Sequence, residues 1–117
     1  MLPQPSALFV ELETHTDERG ILSVADFSKL PFTPKRLFYV YDANGLRGGH
    51  AHKKCEQILI CLHGSCLVTI NDVVYRLSSP DIGLYIKTHA MSTQSFDKDT
   101  VLLVLASEPY DPDDYEV

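Results

Sequence analysis

The sequence is poor in cysteine and has no long hydrophobic run. Its three cysteines, Cys55, Cys61 and Cys66, are odd in number and form no C-x-x-C pair, so neither a disulfide framework nor a zinc knuckle is expected. We expect reduced thiols that pack as small hydrophobic side chains in a cytoplasmic protein. The longest apolar run, VLLVLA at 101–106, is far shorter than the ~20 residues of a membrane helix, so no membrane association is expected. The N-terminal MLPQPSALFVELE lacks the basic region and cleavage signal of an exported protein.

The net charge of −6 argues against nucleic acid as a general partner. The charge is uneven, because residues 1–60 contain seven basic and seven acidic side chains, whereas residues 61–117 contain three and nine. Basic side chains in the first half would suit a local anionic ligand or would form a solvated surface. They include Arg19, Lys35, Arg36, Arg47, Lys53 and Lys54.

Short apolar or alternating runs recur about every ten residues, with turn residues between them, and no long segment shows a helical period. The predicted strands are 7–12, 21–25, 36–41, 56–63, 66–71, 73–77, 83–86 and 101–106. Many short strands in so small a chain must close on themselves or pack as two sheets to hide their edges. We therefore expect one all-β domain over residues 1–117, a jelly roll or small barrel that binds a ligand in its mouth.

Two histidines, His50 and His52, lie one residue apart in RGGHAHKKCEQILICLHGSC, residues 47–66. On a strand both imidazoles would point to one side, with Cα atoms roughly 6.5–7 Å apart. Such a pair could bind a metal, could act as acid and base on one small molecule, or could be incidental. If 50–62 were one continuous strand, the face of the histidines would also carry Glu56 and Ile58. The opposite face would then carry Gln57, Leu59, Cys61 and His63.

A metal site is one of these alternatives. The spacing His-x-His-x3-Glu, followed after seven residues by Gly64, loosely resembles the first motif of metal-binding cupins, whose side chains ligate iron, manganese or nickel. The fourth ligand would be a histidine from a later motif, here His89, and Lys87 would place a cation near the ion. A metal-dependent small oxygenase is therefore one candidate function.

A second resemblance extends over nearly the whole chain. It rests on five stretches in the order and near the spacing of one family: DERGILSVAD, LPFTPKRLFYVYD, RGGHAHKKCEQILICLHGSC, SPDIGLY and VLLVLASEPYDPDDY. These stretches resemble the sugar 3,4-ketoisomerases that act on dTDP-4-keto-6-deoxyglucose, the WxcM-like, RmlC-type cupins of bacterial deoxysugar biosynthesis. The resemblance implies a cupin fold, that is, a double-stranded β-helix or jelly-roll barrel. It also implies a homodimeric enzyme that needs no metal or other cofactor.

The resemblance further implies a reaction and its residues. The ketone would move from C4 to C3 of a dTDP-linked sugar through an enediol intermediate, with imidazole as a base of near-neutral pKa. By matched position, His50 would remove the C3 proton and His52 would relay protons. The diphosphate would be bound by arginines, and Tyr39, or else Tyr41, would contact the sugar or a catalytic oxygen. The matched arginines are Arg19, Arg36 and Arg47.

One stretch departs from the family pattern. Family members usually read GLYI-P-P-x-x-W-x-x-M after the SPDxG turn, whereas this chain reads GLYIKTHAMSTQ and contains no tryptophan at all. Because this stretch would line the pocket, sugar positioning could differ. A non-catalytic nucleotide-sugar-binding module is therefore the remaining alternative to an isomerase.

Overall fold

A computed structural model describes residues 5–116, which form twelve β-strands and two short 3-10 helices. Residues 1–4 and 117 lie outside the described residues. The prediction of a single domain over residues 1–117 includes them, and it stays a prediction. No helix in the described part is long and apolar enough to cross a membrane. The 3-10 helices are Phe27–Lys29 and Pro112–Asp114. The strands are β1 Ala7–Glu11, β2 Glu13–Asp17, β3 Gly20–Val24, β4 Arg36–Val40, β5 Leu46–His52, β6 Gln57–His63, β7 Cys66–Ile70, β8 Val73–Leu77, β9 Ile82–Ile86, β10 Ser92–Phe96, β11 Val101–Ala106 and β12 Tyr115–Glu116.

The strands form two five-stranded sheets and one separate hairpin. The first sheet has the order β1-β9-β6-β11-β4, the second has the order β12-β5-β10-β7-β8, and β2 pairs with β3. Every pairing is antiparallel. Consecutive strands often lie in different sheets, which is the arrangement of a jelly roll. The all-β jelly-roll prediction is confirmed.

The core lies between the two sheets and is built from alternate residues of their strands. Leu59 and Cys61 of β6 pack there against Val68 of β7 and Leu102 of β11, and all four are almost completely buried. The outer face of β6 is also covered, because Ile58 and Ile60 pack beneath a second apolar cluster that includes Phe32 and Leu30. Burial on both faces explains why this strand reads as a continuous apolar run rather than as an alternating one.

The cysteines are buried free thiols, as the sequence predicted. Cys61 and Cys66 lie in the core between the sheets. Burial, together with the neighbouring Cys61, raises the pKa of the Cys66 thiol to about 12, and burial also raises the pKa of Cys61. These thiols are therefore protonated at neutral pH and act as packing groups rather than as nucleophiles.

All eight predicted strands occur, with ends that differ by a residue or so, but four others were missed: β2, β5, β10 and β12. Their sequences, such as ETHTD, LRGGHAH and STQSF, are polar or rich in glycine. They form strands because neighbouring strands supply backbone partners, and single-strand propensity does not detect such tertiary pairing.

The assumption that 50–62 forms one continuous strand is wrong. β5 ends at His52 and β6 begins at Gln57, and the two strands belong to different sheets. Residues 53–56 form a bend between the two strands, and after it the odd-numbered rather than the even-numbered side chains face the histidines. Consequently Gln57 and Leu59, rather than Glu56 and Ile58, share a cavity with the histidines.

Candidate active site

A cavity of about 160 Å³ lies between the two sheets. The first sheet contributes Arg36 and Phe38 from β4 and Gln57 from β6, and the second sheet contributes polar groups from β5 and β10. The groups of the second sheet are Arg47, His50, His52, Ser92 and Gln94. An apolar floor with two cationic arginines and two imidazoles on its walls suits a small anionic ligand with polar groups to orient.

A β-bulge in β5 aims the histidines into this cavity. Opposite β10, Gly48 pairs with Thr93 and His50 pairs with Ser92, so Gly49 is an extra residue in the ladder. Both glycines have left-handed backbone angles, with φ of 95° and 84°, which suit glycine and strain other residues. Gly48 also packs closely, because a Cβ there would lie 2.5 Å from the Ser92 carbonyl oxygen.

The extra residue brings Arg47 to the same cavity as the histidines. In a regular strand successive side chains alternate between faces, so Arg47 would point away from His50 and His52. The bulge shifts the alternation by one residue, and all three side chains line the cavity. A cation and two imidazoles are thereby placed along one wall.

The rings of His50, His52 and Tyr115 cluster at the C-terminal end of β5. The rings of His50 and His52 lie 5.5 Å apart between centroids and are almost perpendicular, at 82°. The ring of Tyr115, from β12, packs against both, with centroid distances of 4.6 Å to His50 and 4.8 Å to His52. Tyr115 is held there because β12 pairs with β5, with Tyr115 opposite His52. The two imidazoles and the tyrosine ring therefore form one packed cluster.

Asp114 fixes the orientation of His52. Its carboxylate is 6% exposed, and one oxygen, Oδ2, lies 2.9 Å from Nδ1 of His52. The backbone amides of Lys54 and Cys55 donate to Oδ1 and Oδ2 at 2.7 and 3.2 Å. Burial raises the pKa of Asp114, but the hydrogen bonds from the Lys54 amide, His52 and the Cys55 amide outweigh it. The net pKa lies below its ordinary value, so this carboxylate is ionised at neutral pH.

His50 has a different environment, and within the described residues no carboxylate hydrogen-bonds to it. Burial lowers the pKa of His50, and the neighbouring charge of His52 lowers it further, with a partial offset from the Gly48 backbone. His50 is therefore a neutral imidazole at neutral pH and able to accept a proton.

Two of the predicted arginines line the cavity. Arg47 does so from β5, and Arg36 does so from β4, where its guanidinium stacks over the ring of Phe38 at 5.1 Å. The buried Nε of Arg36 has no hydrogen-bond partner among the described residues, so this donor is free for a ligand.

Arg19 and Tyr39, also predicted as substrate-binding, are not brought to this cavity. Arg19 is exposed at the turn between β2 and β3, where it pairs with Asp17 at 2.7 Å. Tyr39 is 59% exposed on the outer face of β4, because it alternates with Phe38 and Val40, which face inward. Its ring packs against Tyr41 at 6.0 Å.

The metal-cupin triad does not assemble. Glu56 lies in the bend before β6, and its carboxylate accepts a hydrogen bond from the Tyr85 hydroxyl, in the outer apolar cluster beside Phe32. His89, the fourth ligand in that interpretation, is exposed and pairs with Glu116. His52, Cys55 and Asp114 do cluster within 4.8 Å, but the Asp114 oxygens are already occupied by three donors.

Asp114 and Tyr115 are site residues that the sequence did not reveal. They occur in the terminal stretch SEPYDPDDYEV, which composition marks only as acidic. The one available signal was that this stretch, with its Asp-Tyr pair, belongs to the motifs shared with the ketoisomerases. Nothing in the local pattern indicated that one of several neighbouring carboxylates would be buried.

The fold and the cavity define the class as a cupin barrel equipped for acid–base chemistry. A family model described as WxcM-like, C-terminal (FdtA) matches residues 6–116. The TDP-4-oxo-6-deoxy-alpha-D-glucose-3,4-oxoisomerase of Aneurinibacillus thermoaerophilus is 42% identical over 109 residues, which cover 85% of this chain and 77% of that protein. The chain therefore belongs to the WxcM-like, C-terminal family.

Two crystal structures agree with this assignment. A 3,4-ketoisomerase from Helicobacter canadensis matches with a TM-score of 0.91 at 35% identity, over 97% of this chain and 91% of that chain. A mutant of the 3,4-ketoisomerase QdtA from Thermoanaerobacterium thermosaccharolyticum, in complex with TDP-4-keto-6-deoxyglucose, matches with a TM-score of 0.88 at 34% identity, over 97% and 88%. The cupin fold predicted from the sequence is confirmed.

The bulge gives a prediction for its two glycines. We expect Gly49→Ala to cost about 1–2 kcal/mol of unfolding free energy, since only the left-handed backbone is strained and the space is open. Gly48→Ala should cost ~1–3 kcal/mol more, because its Cβ would collide with the Ser92 carbonyl. Urea unfolding measures both, and equal losses would contradict the packing described for Gly48.

The environment of His50 gives a pH prediction. Its NMR titration midpoint should lie below the ordinary 6.5, and His52→Gln should raise that midpoint by removing a neighbouring positive charge. Because the folded pKa lies below the unfolded one, the contribution of His50 to stability is present above pH 6.5 and is lost as the pH falls below it. His63→Gln, at an exposed histidine, is the matched control and should leave the midpoint unchanged. A midpoint above 6.5 in the unmodified chain would contradict this environment.

Proposed function

We propose that this protein is a sugar 3,4-ketoisomerase that moves the keto group from C4 to C3 of a dTDP-linked 4-keto-6-deoxyhexose. The observation that carries the proposal is the pair of imidazoles, one neutral and one tethered to a carboxylate, on one wall of the cavity. Membership of the WxcM-like family and the activities of the relatives support it.

The reaction requires only proton transfers. Neutral His50 takes the C3 proton, and the C4 ketone oxygen becomes the charged oxygen of an enediolate. The proton of the O3 hydroxyl then moves to O4, and the C3 ketone forms as C4 receives the proton held by His50, which restores the neutral imidazole. His52, whose Nδ1 is bonded to Asp114, relays protons between the two oxygens through Nε2. The sugar is oxidised at one carbon and reduced at the next, so the balance requires no external oxidant, reductant or cofactor.

The nucleotide diphosphate would be bound by Arg36 and Arg47, at opposite walls of the cavity. Guanidinium groups suit phosphate because they donate in a bidentate fork. The unpaired Nε of Arg36 supports this assignment, since a bound oxygen would satisfy a buried donor. Arg19 and Tyr39 face away from the cavity of their own chain, so we assign them no role inside it.

We also propose that the protein works in the cytoplasm. The buried free thiols of Cys55, Cys61 and Cys66 support this location, because they are the form that a reducing compartment maintains. The dTDP-linked substrate class is consistent with biosynthesis of deoxysugars, as predicted from the sequence.

The decisive test is hydrogen exchange on the substrate. Incubated with dTDP-4-keto-6-deoxyglucose in D2O, the protein should introduce deuterium at C3 or C4 and form the 3-keto sugar, as followed by NMR. His50→Gln should lower the rate by about 10²–10⁴-fold with folding retained, because the base is lost. His63→Gln, an exposed histidine on β6, is the matched control and should keep full activity.

The same experiment separates the alternative of a binding module. Binding of dTDP without deuterium in the sugar would contradict an isomerase and support a non-catalytic nucleotide-sugar-binding protein. A His50→Gln variant as active as the unmodified chain would contradict the role given to His50.

We further propose a homodimer formed through the outer face of the first sheet. This face carries an apolar groove of about 600 Å³ lined by Leu37, Leu62 and Leu103. The β2–β3 hairpin borders the groove, and its Ile21 and Leu22 are 73% and 61% exposed. A single surface with both an apolar groove and an exposed apolar hairpin can complement a second copy of itself about a two-fold axis.

The dimer is tested by mass. Light scattering should give twice the mass of one chain, and Leu37→Glu should shift the protein towards the monomer, because a carboxylate would be buried in the interface. Val74→Glu, at a similarly exposed residue on β8 of the other sheet, should leave the dimer intact. A monomer for the unmodified chain would contradict the proposal.

A further inference from the structure

The hydrogen bonds of Asp114 determine which nitrogen of His52 carries the proton. Oδ2 of Asp114 accepts from the Cys55 amide, and the Oδ1 atom accepts from the Lys54 amide, so both oxygens face backbone donors. Backbone amides can only donate, and the carboxylate is ionised. The Nδ1 atom of His52, 2.9 Å from Oδ2, must therefore donate as well. In the neutral imidazole, Nε2 is then left with a free lone pair.

We propose that Asp114 is a positioning residue that holds His52 in the Nδ1–H tautomer and so assigns the relay of hydroxyl protons to His52. The proposal rests on the function proposed above. When Nε2 takes a proton from one sugar oxygen, the imidazolium is paired with a buried carboxylate, and when Nε2 returns the proton to the other oxygen, the starting tautomer is restored. His50 lacks such a carboxylate partner among the described residues and is left to remove the C3 proton.

Tyr115 restrains the rings of both His50 and His52. It follows Asp114 directly, and its ring packs against both imidazoles at 4.6 and 4.8 Å. The pairing of β12 with β5 keeps Asp114 and Tyr115 beside the site. The terminal segment therefore fixes the hydrogen bonding of one histidine and the ring planes of both.

The variant Asp114→Asn distinguishes control of the His52 tautomer by Asp114 from a purely structural role of this residue. An asparagine has one oxygen and one NH2, so one end of its amide must face a backbone donor. The NH2 group should avoid the short 2.7 Å contact with the Lys54 amide and occupy the Oδ2 position, where the Cys55 amide is more distant at 3.2 Å. It would then donate to Nδ1 of His52 and move the ring proton to Nε2.

The first measurement is made on the resting protein with ¹⁵N-labelled histidine. In the unmodified chain, the Nδ1 of His52 should show the shift of a protonated nitrogen and Nε2 that of an unprotonated one. Asp114→Asn should reverse the two shifts. Asp113→Asn, the same loss of charge at an exposed neighbour in the same 3-10 turn, is the matched control and should leave them unchanged.

The second measurement is turnover. Asp114→Asn should lower kcat by about 10²–10⁴-fold with KM changed only a few-fold, because a protonated Nε2 cannot accept a proton from substrate. Asp113→Asn should keep both constants. A loss of kcat in Asp114→Asn with the original tautomer retained would overturn the proposal and leave a purely structural role.

The outcomes separate this proposal from the proposed function. An Nε2–H tautomer of His52 in the unmodified chain overturns the role of Asp114 even if the isomerase is active, and this readout needs no variant to fold. The predicted tautomer in a protein that binds the nucleotide sugar without hydrogen exchange contradicts the isomerase instead.

Discussion

The site depends on one extra residue in β5. Without the bulge at Gly48 and Gly49, alternation along the strand would place Arg47 on one face and the two histidines on the other. The close approach of Gly48 to the Ser92 carbonyl, at 2.5 Å for a Cβ, leaves no room for a side chain where the strand changes phase. The glycine pair is therefore a structural requirement for a cavity in which a guanidinium group and two imidazoles share a wall.

His50 and His52 are the same type of residue, but they have different surroundings and therefore different properties. His50 is partly desolvated beside another imidazole, which favours its neutral form. His52 instead faces a carboxylate that three donors keep ionised. In the function proposed above, this difference in surroundings allows one imidazole to act as the base while the other relays protons. This division comes from the terminal segment, which brings Asp114 and Tyr115 to a strand more than 60 residues earlier in the chain, since Asp114 is 62 residues from His52.

Local pattern was sufficient for part of the fold and part of the site. Strands with short apolar or alternating runs, such as Val73–Leu77 and Val101–Ala106, were predicted with their observed bounds, and the His-x-His pair lines the cavity. The strand that carries the pair was missed, because LRGGHAH has no strand propensity and is ordered by β10 and β12. Asp114 could not be found, since burial of one carboxylate among several depends on contacts distant in sequence. Tyr39 lies on the outer face of β4, and alternation alone does not say which face of a strand is inner.

The bend between β5 and β6 also decides which chemistry the cavity can support. Had the strand continued, Glu56 would have joined His50 and His52 in the arrangement of a metal-binding cupin. Because the chain changes sheets there, Glu56 turns outward and accepts a hydrogen bond from the Tyr85 hydroxyl. Burial, together with this bond, raises the pKa of Tyr85 to about 12. Gln57, a neutral side chain, takes the inward position. Among the residues that the structure describes, the cavity is lined by imidazoles and by no carboxylate, which favours movement of protons over tight binding of a hard cation. The bulge in β5 places Arg47 on the same wall as the histidines, and the bend before β6 turns Glu56 away from them. Both changes suit an anionic substrate.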